Sequence, residues 1–386
     1  MTHVARLHNH APLLAPALLL PALLVIAGCG AVTPAETPLW ETALAAVTND
    51  AGAPKDQLAQ AIDDLFTAPG VGETRAVVVM ADGKLAAERY GPGYDADTRF
   101  VSWSMAKTVT GVLIGMLVAD GLLALDEPAP VSLWQRPGDP RAEITLRHLL
   151  QMRSGLRHTE AGDPPYESSE VRMLFLDGRD DMARWAKEQP LEADPGEMFE
   201  YSSNTSVILA DIAARALTDS TDPETRRKAV ADYLQQRLFA PLGMASMVPE
   251  FDAAGTLIGG SLMHATARDW AKLGEMLRLK GRAPGGEQLV PQRWVEAMVT
   301  PSPASPHYGF QTWLNRPIPG AEPGQHPLFP SRAPQSLFSL IGHMGQYVLV
   351  SPEQRVTLVR LGHSDSAQRP PMLQQAADVL ELYPES

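Results

Sequence analysis

A chain of 386 residues, 45% hydrophobic and 20% charged, has an ordinary globular balance and is long enough for one large core or two lobes. Its formal net charge of −13, with no basic run, argues against nucleic acid as a partner, because phosphate binding needs clustered Lys and Arg. No fixed-period repeat and no long low-complexity tract interrupts it.

The first element in chain order is an apolar run, Pro12 to Ile26, preceded by Arg6 and three histidines. Its length suits the core of a signal peptide better than a membrane span. It ends in Ile26-Ala27-Gly28-Cys29, an aliphatic residue and two small ones before a cysteine, which resembles the bacterial lipobox. Cys29 is the only cysteine, so no internal disulfide can form. The expectation is a signal peptide over residues 1–28, a lipidated Cys29 as mature N-terminus, and a tether over residues 29–55. The acyl chains would anchor the protein to a membrane of the cell envelope, on its periplasmic side or at the cell surface.

A helix is expected over Asp56–Phe66, where apolar residues recur at helical spacing. Two β-rich runs, Ala76–Met80 and Lys84–Tyr90, flank Asp82-Gly83 and predict a hairpin with a primed turn. Helical patterns follow at Lys107–Leu123, Leu146–Met152, Asp180–Glu188, Ser206–Leu217 and Thr225–Leu238. Nine prolines between Pro301 and Pro334 predict an ordered but irregular loop. Strand patterns return at Gln346–Val350 and Val356–Leu361, and a helix over Pro371–Leu382 closes the chain. Strands at both ends with helices between them predict an α+β fold, its sheet mainly antiparallel and built from both termini, with an inserted helical lobe.

The segment that carries chemistry is Ser102-Trp103-Ser104-Met105-Ala106-Lys107. If a helix begins near Ser104, residues three apart share a face, which brings Lys107 to Ser104. A serine hydroxyl is a poor nucleophile until a neighbour takes its proton. A lysine in a partly dry cleft has its charged form disfavoured and can help do so. Alone, the S-x-x-K spacing is weak: 21 Ser and seven Lys predict about 0.4 chance matches. Trp103 and Tyr166 read equally well as packing or substrate-contact residues.

Longer stretches supply the context. After Lys107 come Thr110-Gly111 and Gly115, then Asp120-Gly121-Leu122-Leu123 and Asp126-Glu127-Pro128. Further on are Ile144-Thr145-Leu146-Arg147-His148-Leu149-Leu150 through Ser154-Gly155-Leu156, then Leu242-Gly243-Met244 and Ala265-Thr266-Ala267-Arg268-Asp269-Trp270. In this order, from about residue 70 to 365, the chain resembles serine hydrolases of the β-lactamase and penicillin-recognising superfamily. The likeness is to the class C β-lactamase-related branch, which includes carboxylesterases and 6-aminohexanoate-dimer hydrolases. The resemblance implies a β-lactamase/transpeptidase-like domain over residues 56–386.

It also implies roles. Tyr201 matches the tyrosine of the second motif, a phenol that shares the nucleophile's proton with Lys107; which of the two is the base stays open. Ser203 stands where β-lactamases carry an asparagine, and Asn204 falls one residue late. Gly342-His343-Met344-Gly345-Gln346 fits the third motif, with His343 in place of lysine and Gly345 leaving room for an approaching substrate. The oxyanion hole would be the backbone N–H groups of Ser104 and Gln346. No metal and no cofactor is implied, and the partner is a small ester or amide.

The leading expectation is hydrolysis of esters or linear amides through a Ser104 acyl-enzyme. The alternatives are a β-lactamase or D-alanyl-D-alanine peptidase, and a non-catalytic lipoprotein that binds peptidoglycan or a partner. An imidazole attracts a substrate carboxylate less than lysine does, and Glu-x-x-Leu-Asn is absent from the chain, which favours the first reading.

Overall fold

The apolar runs around Asp82-Gly83 pair as expected, and the turn residues take φ of 50° and 77°, the left-handed pair that a primed hairpin turn requires. A computed structural model describes residues 41–318, 320 and 326–385. The signal-peptide run, the lipobox and Cys29 lie outside the described residues, as do residues 29–40 of the expected tether. No helix among the described residues is long and apolar enough to cross a membrane.

The strands are, in chain order, β1 (Glu73–Ala81), β2 (Lys84–Tyr90), β3 (Phe100–Val101), β4 (Val248–Pro249), β5 (Met263–Ala265), β6 (Trp313–Leu314), β7 (Phe338–Gly342), β8 (Gln346–Ser351) and β9 (Val356–His363). Six form an antiparallel sheet in the order β2-β1-β9-β8-β7-β6, so the amino-terminal hairpin adds directly to the carboxy-terminal meander. The register sets Val78 opposite Val359, and Val359 opposite Val348. The remaining three form a small sheet in the order β3-β5-β4.

Both faces of the large sheet are covered, which is why its central strands are almost continuously apolar. Val77 and Val79 of β1, Leu349 of β8 and Leu358 of β9 face one way. They pack with α1 (Glu41–Ala45), α2 (Lys55–Thr67) and the closing helix Arg369–Glu381. Val78, Val348, Val350, Val359 and Leu361 face the other way, into the helical lobe. The lobe comprises α3 (Ala106–Ala119), α4 (Leu146–Leu150), α5 (Ser169–Phe175), α6 (Met182–Lys187), α7 (Ser203–Leu217), α8 (Pro223–Leu234) and α9 (Ala240–Leu242). Then come α10 (Ala267–Arg278), which lies on the sheet, α11 (Gln292–Met298) and α12 (Arg369–Glu381).

Two expectations need correction. The tether does not extend to residue 55: Ala43, Val47 and Ala51 are buried, and Thr48 N–H donates to the Ala86 carbonyl beside β2. Small apolar side chains spaced among polar ones look like a linker until a sheet edge receives them. The helix expected over Thr225–Leu238 ends at Leu234 and continues as a π-helical turn over Gln235–Phe239. The described residues of the proline-rich segment between 301 and 334 are irregular, as expected, and they bury Tyr308 and Phe310 and contribute β6.

Candidate active site

Ser104 sits at the end of the small sheet. β3 delivers the chain to Ser102, whose N–H donates to the Met263 carbonyl at 2.7 Å and whose Oγ accepts from Met263 N–H at 3.1 Å. The next residue, Trp103, has φ of 45°, a strained conformation for a bulky residue, held here by neighbours on both sides. A 3₁₀ turn over Trp103–Met105 follows and runs into α3, so Ser104 precedes the α-helix instead of starting it. Helix α3 is buried from Ala106 to Leu117, which places Lys107 in the interior at 1% exposure.

Lys107 Nζ makes three close contacts: Ser104 Oγ at 2.9 Å, Ser203 Oγ at 2.7 Å and the Gly260 carbonyl at 2.8 Å. Its nitrogen also lies 4.7 Å from the centre of the Tyr201 ring and 3.6 Å from Glu160 Oε1. Burial works against the ammonium, but Tyr201, Glu160 and Glu170 outweigh it and raise the Lys107 pKa. Burial likewise raises the Tyr201 phenol, with Glu160 adding to it, against the pull of Lys107 and the Ser104 hydroxyl. Both shifts favour the protonated forms. The Tyr201 ring is held by Trp313 at 5.0 Å and by Tyr308 edge-on at 5.8 Å. Tyr308 is itself 1% exposed, and its hydroxyl has no partner among the described residues.

The third motif forms the turn between β7 and β8, directly against the segment that carries Ser104. Gly342 ends β7 so close to this segment that a Cβ there would collide with the Ser102 carbonyl oxygen. Gln346 opens β8 in register with Gly342, which carries its backbone to the same end of the sheet as Ser104. Its side chain turns inward, donating to the Gly362 carbonyl at 2.6 Å and accepting from Gly362 N–H at 3.0 Å. His343 is exposed at the turn, with its ring edge-on to Trp103 at 5.4 Å. Partial burial, followed by Arg369 and His363, lowers its pKa, so it is neutral at pH 7.

Gly345 has a different reason from the one expected. Its φ is 81°, and a Cβ would lie 2.7 Å from Arg360 Nη1. Arg360 is fully buried and donates to the Gly345 carbonyl at 2.8 Å and to Ser364 Oγ at 2.8 Å. The glycine thus admits a guanidinium behind the turn; substrate approach is not needed to explain it.

Asn204 is also accounted for. It is fully buried, with Oδ1 accepting from Ser169 Oγ at 3.1 Å and Nδ2 donating to the Ser169 carbonyl at 3.3 Å. It ties α7 to the start of α5 and makes no contact with Ser104 or Lys107 among its hydrogen bonds. Tyr166 is 61% exposed in a short 3₁₀ turn.

Two acidic residues were missed by sequence reasoning. Glu160 accepts from Ser203 N–H at 2.6 Å and from Ser203 Oγ at 2.7 Å. Glu170 Oε1 lies 2.9 Å from Ser203 Oγ and accepts from Ser261 Oγ at 3.3 Å. The Glu170 carboxyl is pushed up to about 7, chiefly by burial and then by Glu160. Nothing in the sequence distinguishes them. Glu160 lies in an irregular segment, and Glu170 reads as an ordinary first-turn acid behind the Ser168 cap of α5.

Comparisons with known proteins agree with this architecture. The family model described as Beta-lactamase matches residues 58–381. The 6-aminohexanoate-dimer hydrolase of Paenarthrobacter ureafaciens is 27% identical over 260 residues, 63% of this chain and 62% of that one. The chain thus spans less than two thirds of the length of that curated relative. A Bacillus anthracis structure provisionally described as a 6-aminohexanoate-dimer hydrolase superposes with a TM-score of 0.63 at 22% identity, covering 81% of each chain. A family VIII carboxylesterase superposes with a TM-score of 0.57 at 13% identity, covering 83% of this chain and 95% of that one. At these identities the solved structures speak to the fold.

Proposed function

The chain belongs to the β-lactamase family, and on that premise we propose that it is a serine hydrolase that cleaves ester or linear amide bonds through an acyl-enzyme on Ser104. The observation that carries this reading is Lys107 Nζ, 2.9 Å from Ser104 Oγ in a nearly closed interior and 4.7 Å from the centre of the Tyr201 ring. Ser104 Oγ attacks the carbonyl carbon as its proton passes to the Lys107–Tyr201 pair. The backbone N–H groups of Ser104 and Gln346 receive the oxyanion, the pair returns the proton to the leaving group, and water then releases the acyl chain.

The relatives named for 6-aminohexanoate-dimer hydrolysis and the carboxylesterase support linear amides and esters as the substrate class. The neutral His343 points the same way, since a β-lactam or D-alanyl peptide presents a carboxylate that a third-motif cation would attract. Arg369 is the cation acting most strongly on His343, and it acts on the Tyr347 phenol as well. Steady-state assays should give kcat/KM for p-nitrophenyl butyrate about 10- to 100-fold above that for a chromogenic cephalosporin, the size of one missing charged hydrogen bond. A larger value for the cephalosporin replaces this reading with a β-lactamase or D-alanyl peptidase.

The anchor is part of the same proposal. Lipidation of Cys29 would place the enzyme in the cell envelope, at the periplasmic side or the surface. A fatty-acid analogue supplied to cells should label the wild type and miss Cys29→Ser, and equal labelling of both rules the anchor out.

A further inference from the structure

A serine hydroxyl has one hydrogen to donate. Ser203 Oγ nonetheless lies 2.7 Å from Glu160 Oε1 and 2.9 Å from Glu170 Oε1, while accepting from Lys107 Nζ at 2.7 Å. Two ionised carboxylates against that oxygen would leave one facing its lone pairs. Every contact is satisfied when Glu170 carries a proton and donates it to Ser203 Oγ, and Ser203 in turn donates to Glu160. Glu160 then remains the acceptor of two donors, the Ser203 hydroxyl and the Ser203 N–H.

Lys107 shows the complementary ambiguity. The Gly260 carbonyl can only accept, and Ser203 Oγ can accept, but the Ser104 hydroxyl can do either. The same three distances therefore suit an ammonium that donates three times or an amine that donates twice and accepts from Ser104. No heavy atom need move between the two; only hydrogens change place.

The geometry points to Glu160 and Glu170 as a carboxyl pair that positions one proton across Ser203, and so sets whether Lys107 is an amine when Ser104 attacks; this rests on the hydrolase reading above. The exchange balances. Lys107 passes a proton to Ser203 Oγ as the Ser203 hydroxyl proton passes to a Glu170 oxygen, so ammonium and carboxylate become amine and carboxylic acid. The freed Nζ lone pair then takes the Ser104 proton as Ser104 Oγ bonds to the carbonyl carbon. The three groups must share a single proton for this to work. A second proton, taken up in acid, fills the pair while Lys107 is still charged and stops the reaction.

The surroundings leave Glu170 as the group that titrates near neutrality. Lys107 faces it from α3, and Tyr201 and Glu200 face Glu160 from the segment ahead of α7. Tyr308 and His343 face Glu160 from the proline-rich segment and from the β7–β8 turn. Tyr201 and Tyr308 are raised, and His343 is lowered, away from pH 7. Glu200 is raised by its own burial and by Glu192 and Glu160, but none of the Ser203 hydrogen bonds reaches it. Glu170, at about 7, both titrates in this range and touches Ser203.

The test uses the full chain and a fluorophosphonate probe, whose rate of attachment to Ser104 reads nucleophilicity without a natural substrate. Wild-type labelling should fall as pH drops through about 7. Glu170→Gln should label about 100-fold more slowly above that pH, the low end of what a lost proton-transfer partner costs, and its acid limb should move by more than about one pH unit. Glu170→Asp should restore the limb, and Ser203→Ala should lose it. A merely structural glutamate would shift Tm and leave the limb in place. The inference is overturned if Glu170→Gln keeps the wild-type limb. If the wild type takes no label at all, the hydrolase reading itself fails, a result seen before any variant is compared.

Discussion

Ser104→Ala is expected to remove fluorophosphonate labelling entirely and to lower turnover of p-nitrophenyl butyrate by about 10⁴- to 10⁶-fold, as in other nucleophile deletions. The expectation rests on exposure as much as on the Lys107 contact. Ser102, Ser203 and Ser261 surround the same spot, but they are 0%, 0% and 1% exposed. Ser102 is further committed by its bonds to Trp103 and Met263. Ser104 alone of the four is half-buried, its hydroxyl shared with Lys107 and open to an incoming carbonyl. The residual rate should be what positioning and the oxyanion donors supply without a covalent route. Peptide mapping decides the matter: an adduct on Ser102 or on the buried Ser154 would mean that the nucleophile has been misplaced.

Lys107→Met is expected to be nearly as damaging to turnover, and it should also expose what the lysine does for the fold. Methionine fills a similar volume, so a cavity is not the main loss. What is lost is the cation facing Glu160 and Glu170 inside the protein, and removing one partner of a buried charge pair typically costs about 3–5 kcal/mol. The pH dependence follows from Glu170. Its folded pKa of about 7 stands above the ordinary 4.5, so between those values the native state binds a proton that the unfolded chain does not. Stability contributed by such a group is present at low pH and lost as pH rises through the folded value. Without Lys107 the carboxyl is harder still to ionise, so the window extends upward. The Tm deficit of Lys107→Met should therefore be large near about pH 8 and small near about pH 5. Equal deficits at both would mean that the pair does not answer to Lys107.

The parts of this protein that sequence disclosed are those governed by local rules. Asp82-Gly83 names its turn because these two residues tolerate the left-handed φ that a type I′ hairpin needs at both positions, and the S-x-x-K spacing survives even though a 3₁₀ turn replaces the first turn of helix. The apolar strands near both termini announced a sheet built from the two ends of the chain, which the β1–β9 pairing completes. Tyr201 was legible as a residue near Lys107 because the resemblance supplied its place in the order of motifs, and its ring centre lies 4.7 Å from Lys107 Nζ.

Tertiary structure alone decided the rest, for a common physical reason: each remaining role is made by groups distant in sequence whose own spacing is unremarkable. Residues 41–55 read as a tether because their apolar side chains are small and scattered, and only the edge at β2 turns them into packing residues. Gly345 looked like room for a substrate until Arg360, which donates to its carbonyl, filled the space behind it. Asn204 looked like a displaced motif residue until its bonds to Ser169 showed it holding α7 to α5. Glu160 and Glu170 are two glutamates among many in an acidic chain. Their burial beside Lys107, and the one serine hydroxyl between them, exist only once α5, α7 and the segment before α5 are brought onto α3. Sequence by itself determined that Ser104 and Lys107 meet and what kind of sheet supports them. The folded chain determined the charge that surrounds it, because desolvation and hydrogen bonding act on distances that no linear spacing encodes.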